Sequence, residues 1–330
     1  MSHSKEIISY MNRLGSEAKE ASSVLAQASI EQRNASLDFI AEAIELNRDK
    51  ILSTNQKDLE LAKQKSIGSA LIDRLELNDN RIDSMISGLK IVSDLPDPVG
   101  EITDLDPTPS GIEVKKMRVP LGVVGIIYES RPNVTADAAA LCLKSGNSCL
   151  LRGGSEAILS NKIIWSCLQE GLNKSGLPKE CVQLVETTDR EAVKTLLHLD
   201  EYLDVVIPRG GKGLVQLISD ESRIPVIKHL DGICHVFIDK DADHQKAQDI
   251  AFNAKTYRYG ICGAMETLLI HSEIANSLLP SLTKRFESEG VELRGCDKTL
   301  EISEMVAANE DDWSTEYLAP ILSIKIVKDL

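Results

Sequence analysis

Val123-Val124-Gly125-Ile126-Ile127-Tyr128-Glu129-Ser130-Arg131-Pro132-Asn133-Val134-Thr135 decides the architecture. It opens as an unbroken apolar run, turns at Pro132 and passes into the small-residue stretch Ala136 to Leu143. A strand that is apolar without alternation has both faces covered, as in a parallel sheet between helical layers. Working outward, the same texture returns at Ser148 to Leu151, Val182 to Val185, Val205 to Ile207 and Val236 to Ile238. Helical patterns lie between them, notably Glu156 to Asn173 and Leu214 to Ser219. The reading is an α/β fold with ligands at the carboxyl ends of strands.

Upstream, residues 1 to about 95 read as helix throughout. Ser29 with Gln32 forms a capping box ahead of Leu37, Ile40, Ala41 and Ile44 at helical spacing. Pro96, Pro98, Pro107 and Pro109 punctuate a loop, and Ser145-Gly146-Asn147 reads as a helix C-cap. A new α/β unit begins around Ile224 to Lys228, which divides the chain into 1–225 and 226–330.

The chain has 330 residues, 42% of them hydrophobic, enough for a large buried core. A net charge of -14 argues against nucleic-acid and anionic-membrane partners. An anionic substrate would have to be met by local basic groups. No apolar run approaches the roughly 20 residues that span a bilayer, and Met1-Ser2-His3-Ser4 leads into a polar helical pattern without a signal-peptide core. The seven cysteines are scattered and form no CxxC pair, which points to a reducing cytoplasm rather than a disulfide framework.

Two glycine turns follow predicted strands and open helices: Leu151-Arg152-Gly153-Gly154-Ser155-Glu156 and Pro208-Arg209-Gly210-Gly211-Lys212-Gly213. Each presents backbone N–H groups beside an Arg, a donor set for phosphate. Two in one α/β region suggest a dinucleotide. Neither matches GxGxxG or the Walker pattern, and either alone also reads as an ordinary βα turn. Asn133 is a helix N-cap or an amide donor to an oxyanion. Cys262, with Gly260 and Gly263 beside it and Lys255 and Arg258 shortly before, has the electropositive setting of a nucleophilic thiol, or is a buried structural one. His229, Cys234 and His235 fit no common metal spacing, so no metal is expected; Lys228 and His229 instead face an anionic ligand.

With these residues in view, the chain resembles the gamma-glutamyl phosphate reductases of the aldehyde-dehydrogenase superfamily along its whole length. The resemblance rests on Val119 to Thr135, Ile207-Pro208-Arg209-Gly210-Gly211, Ile224 to His235 and Ala264-Met265-Glu266-Thr267-Leu268-Leu269, with Leu95 to Gly100 as a further run. It implies a Rossmann-like NADP-binding domain within 1–225, an arm at about 100–120 and an α/β catalytic domain within 226–330. By the same resemblance, Cys262 is the nucleophile and Asn133 the oxyanion donor. Arg152, Gly153, Pro208, Arg209, Gly210, Gly211 and Glu316 would hold NADPH, with Glu316 on the nicotinamide ribose. His229 falls where aldehyde-oxidising relatives keep a general-base Glu, a change that suits a reductase, which must keep water off its thioester.

The implied reaction is NADPH-dependent reduction of L-glutamyl 5-phosphate to L-glutamate 5-semialdehyde and phosphate through a cysteine thioester, the second step of proline biosynthesis. Arg131, Lys228, His229 and Arg258 are candidates for the substrate phosphate. A homo-oligomer is implied, with glutamate 5-kinase as a candidate partner. The sequence departs from the family at Tyr257, Tyr259 and Gly263, where Gln, Pro and Asn are usual, so a looser catalytic turn is expected. Family members also continue beyond Leu330, so the catalytic domain is expected to be incomplete. The rival readings are a CoA-acylating aldehyde dehydrogenase and a non-catalytic dinucleotide-binding or assembly protein.

Overall fold

The computed structural model describes residues 2–105, Ser110, 112–228 and 231–329. The chain divides into two compact units, Met1–Lys228 and His229–Leu330. The first begins with α1 (Ser2–Leu25), α2 (Ile30–Leu46), α3 (Arg48–Gln64), α4 (Ser69–Leu75) and α5 (Asp79–Asp94), then a hairpin of β1 (Ile102–Asp104) and β2 (Lys115–Met117). Ser29 caps α2 by accepting the Gln32 N–H at 3.2 Å. The reciprocal half of the expected capping box does not form. The Gln32 side chain is drawn away to donate to the Ser175 carbonyl at 3.1 Å.

The α/β part runs β3 (Val123–Tyr128), α6 (Val134–Lys144), β4 (Ser148–Arg152), α7 (Ile158–Ser175), β5 (Val182–Leu184), α8 (Arg190–Leu196), β6 (Val205–Arg209) and α9 (Lys212–Glu221). The four strands pair in parallel in the order β5-β4-β3-β6. Every residue of β3 is buried, because alternate side chains enter different cores. Val124, Ile126 and Tyr128 join Ile40, Ile44, Leu89, Ala139 and Ile164. Val123 and Ile127 join Met11, Leu14, Leu196 and Ile218. Burying one such aliphatic side chain contributes about 1.5–3 kcal/mol. Helices α2 and α7 pack nearly backbone to backbone: a Cβ on Gly171 would lie 2.7 Å from the Ile40 nitrogen. The chain steps from β3 outward through β4 and β5, then returns to the far side of β3 as β6. That reversal opens a crevice at the carboxyl ends of β3 and β6.

The second unit holds β7 (Cys234–Ile238), α10 (His244–Thr256), β8 (Met265–His271), α11 (Ser272–Ser288), β9 (Glu292–Gly295), α12 (Asp297–Leu300), β10 (Val306–Ala307) and β11 (Ile321–Val327). Its strands pair in parallel in the order β10-β9-β11-β8-β7. Leu268, Ile270, Leu278, Leu282, Phe286, Leu322 and Ile324 form its core. No helix among the described residues is long and apolar enough to cross a membrane.

Candidate active site

Cys262 lies in the turn between α10 and β8, closed by the Ala264 N–H donating to the Ile261 carbonyl at 3.0 Å. Among the described residues it is the one exposed cysteine; Cys142, Cys149, Cys167 and Cys181 are buried, and Cys234 and Cys296 are half-buried. Burial pushes the Cys167 thiol up to about 11 and the Cys181 thiol up to about 12, values that leave both inert near neutrality. The Cys234 thiol donates to the Cys262 carbonyl at 3.2 Å. A Cβ placed on Gly232 would stand 2.9 Å from Cys262 Cβ and 2.9 Å from Glu316 Oε1. Gly232, Cys262 and Glu316 therefore converge, just ahead of β7, β8 and β11 respectively. These are the amino ends of three neighbouring parallel strands, opposite to the carboxyl-end placement expected from the α/β pattern alone.

Lys255 does not serve the thiol in the way its position in sequence suggests. It is fully buried and its Nζ meets Glu266 Oε2 at 2.6 Å. Burial lowers its pKa, and the bond to Glu266 opposes that. The other carboxylate oxygen, Oε1, accepts the Leu318 N–H at 3.1 Å. Arg258 is the exposed cation of the turn. Tyr257 is 80% exposed, whereas Tyr259 is half-buried against the core of the unit. Nothing lies within 4 Å of a Cβ built on Gly263. Gly263→Asn is therefore expected to fit, and to stabilise by about 0.4–1 kcal/mol by restricting the unfolded chain. A thermal melt of the variant against the wild type checks this; a lowered midpoint would show that the turn needs glycine.

In the first unit, Asn133 follows β3 and leads into α6. Its backbone is already helical, with φ -58 and ψ -30, and its side chain makes no cap. The expected N-cap role is thus not taken up. The amide instead donates to Asp137 Oδ2 at 2.8 Å, and an amide NH2 has a second N–H to offer. Burial raises the Asp137 pKa against the opposing pull of Asn133. Arg131 is exposed on the same turn, and Lys228 is exposed at the end of the unit. His229 lies outside the described residues.

The two glycine turns flank the crevice of the first unit. Arg152 ends β4, and its Nε is buried without a hydrogen-bond partner among the described residues. Burial lowers the pKa of this guanidinium, with Glu156 opposing. A half-buried cation with a spare donor fits an anionic ligand. Gly153 is pressed against Tyr128 and Asn161. Pro208 is buried in β6, an edge strand that tolerates proline, and Arg209 is exposed at its end. Gly210 and Gly211 lead into α9.

Sequence reasoning missed Glu129. Its Oε2 accepts the Gly211 N–H at 2.9 Å, so a carboxylate sits where a phosphate would approach the helix N-terminus. Glu156 is a second missed group: its carboxylate accepts the Ser130 N–H at 2.7 Å and so holds Ser130 at a φ of 22, uncommon for a side-chain-bearing residue. Glu129 lies inside the decisive stretch, yet an acid in a turn carries no signal of its partner. Glu129→Gln is expected to tighten dinucleotide binding about threefold by removing a charge from that terminus. Titration of nicotinamide fluorescence reads it; weakened binding would mean that the carboxylate organises the turn for the ligand.

The chain thus joins a four-stranded parallel sheet with glycine turns at its switch point to a second parallel sheet bearing an exposed thiol. Residues 9–323 match the aldehyde dehydrogenase family model. The solved structure of a gamma-glutamyl phosphate reductase from Thermotoga maritima is 45% identical, with a TM-score of 0.89, over 97% of this chain and 77% of that one. One from Saccharomyces cerevisiae is 32% identical, with a TM-score of 0.62, over 95% and 79%. An acetylating aldehyde dehydrogenase from Geobacillus thermoglucosidasius, 17% identical with a TM-score of 0.63 over 98% and 76%, shares the fold alone. This chain belongs to the aldehyde dehydrogenase family, within its gamma-glutamyl phosphate reductase branch.

Proposed function

We propose that this protein reduces L-glutamyl 5-phosphate to L-glutamate 5-semialdehyde and phosphate with NADPH, through a thioester on Cys262, as the second step of proline biosynthesis. The observation that carries this reading is the exposure of Cys262 in its turn, in a chain 45% identical to the Thermotoga maritima reductase. Cys262 as thiolate attacks the acyl carbon, and the acyl–oxygen bond breaks to release phosphate. When bound, the nicotinamide cofactor supplies the hydride that takes the acyl group to the aldehyde level. Asn133 donates its amide N–H to the oxyanion that develops on the acyl oxygen. Collapse of that oxyanion breaks the carbon–sulfur bond, frees the aldehyde and returns the Cys262 thiolate.

Arg152, Gly153, Pro208, Arg209, Gly210 and Gly211 hold the dinucleotide, and Glu316 accepts from the nicotinamide ribose. The spare guanidinium donor of Arg152 supports a 2′-phosphate, hence NADPH over NADH. Arg131, Lys228, His229 and Arg258 receive the substrate phosphate. A homo-oligomer built through the hairpin belongs to the same reading, since Ile102, Val114, Met117 and Val119 expose apolar side chains there.

The test runs the reaction backward: NADPH formation from glutamate 5-semialdehyde, with phosphate or with CoA as acyl acceptor. Turnover that requires phosphate supports the proposal. Turnover that requires CoA and ignores phosphate moves the protein to the acylating aldehyde dehydrogenases. Dinucleotide binding without turnover makes it a binding protein.

A further inference from the structure

The Lys255–Glu266 pair brackets the turn that carries Cys262. Lys255 stands in the last turn of α10 and Glu266 is the second residue of β8, and both side chains are fully buried. A buried ion pair is a costly way to join a helix to a strand, because both charges are taken out of water. An apolar pair would serve packing as well. What the carboxylate adds is its second oxygen, which reaches the Leu318 N–H at 3.1 Å. Leu318 has a φ of 51, a conformation disfavoured for a side-chain-bearing residue and held only where the surroundings impose it. Leu318 stands two residues beyond Glu316, whose Oε1 approaches the Gly232 position beside Cys262. Next to it the Tyr317 hydroxyl donates to Asp312 Oδ1 at 2.6 Å and meets Ser323 Oγ at 2.8 Å, and on the other side of Glu316 the Thr315 hydroxyl donates to the Asp311 carbonyl at 2.7 Å. The segment carrying Glu316 is therefore pinned on both flanks, and one of those pins is the same residue that anchors the thiol turn.

We propose that Glu266 is a positioning residue: by binding the Leu318 N–H while paired to Lys255, it fixes Glu316 beside Cys262 and sets where the nicotinamide ribose stands relative to the acyl-carrying thiol. The proposal rests on the reductase reading of Cys262 and Glu316. Lys255 holds the carboxylate in place, the carboxylate holds the strained backbone at Leu318, and that backbone aims Glu316.

Two double variants separate positioning from stability. Lys255→Met with Glu266→Gln removes the ion pair but keeps a carbonyl oxygen for the Leu318 N–H. Lys255→Met with Glu266→Leu removes both. Each is assayed as the full chain for phosphate-dependent NADPH formation from the semialdehyde, for dinucleotide affinity by fluorescence titration, for alkylation of Cys262 by iodoacetamide, and for amide exchange of the peptide containing Leu318. The Leu variant is expected to lose turnover by about tenfold or more, as a misaimed group does. It should also bind dinucleotide more weakly and exchange Leu318 faster, with Cys262 alkylated at nearly the wild-type rate. The Gln variant should recover most of the turnover and the protection. Wild-type turnover and affinity in the Leu variant, or equal losses in both variants, overturn the positioning role. A wild type that shows no phosphate-dependent turnover overturns the reductase reading and this inference with it, while an active wild type leaves the variants to judge the inference alone.

Discussion

Cys262→Ala is expected to lower phosphate-dependent turnover by about 10⁴-fold or more, the usual consequence of deleting a covalent nucleophile. The fold should survive it. The side chain is exposed, and a surface truncation changes stability by no more than about 0.5 kcal/mol. The melting midpoint and dinucleotide affinity therefore stay at wild-type values while NADPH formation from the semialdehyde disappears. The comparison is sharp because the other thiols are poor substitutes. Cys142, Cys149, Cys167 and Cys181 are buried. Cys296 is half-buried at the carboxyl end of β9, and Cys234 has its sulfur beside the turn, donating to the Cys262 carbonyl at 3.2 Å. Turnover retained within tenfold of wild type would remove Cys262 from the chemistry and make Cys234→Ala the next variant to measure.

The first unit was legible because β3 is apolar at every position, a pattern that only a doubly covered strand needs. The second was not. Strand β8 carries Glu266 and Thr267 at buried positions, and β11 carries Ser323 and Lys325, so neither reads as a continuous apolar run. The Glu266 charge is compatible with a core strand only because Lys255 and the Leu318 N–H satisfy both its oxygens, and neither partner can be inferred from an isolated Glu. The same blindness made Lys255 look like a cation for the thiol. Asn133 and Asp137 stand at the spacing of helical neighbours, so their bond was available to sequence reasoning, but the cap reading of Asn133 hid it. Gly232 and Glu316 show the limit most plainly. They lie far apart in sequence and come together with Cys262 because parallel pairing aligns the amino ends of β7, β8 and β11. Resemblance singled out Glu316; nothing in the residues themselves singled out Gly232.

That convergence supplies the second large effect. Gly232→Ala is expected to reduce turnover by about 10²-fold, on the scale of a catalytic group displaced by an ångström. No positive φ is required at Gly232, so alanine brings no backbone strain of its own, and the effect is steric. Its methyl group would stand 2.9 Å from Cys262 Cβ and 2.9 Å from Glu316 Oε1, and closer still to the Cys262 carbonyl oxygen. A flexible carboxylate can swing aside, but the carbonyl and Cβ of Cys262 belong to the chain and move only if the turn moves. Overpacking of this kind costs about 1–3 kcal/mol, so the melting midpoint should fall modestly while the catalytic loss is much larger. Gly263→Ala is the matched control, one residue beyond the nucleophile with nothing within 4 Å of its Cβ. Measured side by side, turnover and Cys262 alkylation should change in the first variant and not in the second. Wild-type turnover in Gly232→Ala would mean that the close approach of Gly232, Cys262 and Glu316 is relaxed in the working enzyme, and the aim of Glu316 would then have to be set after the cofactor binds.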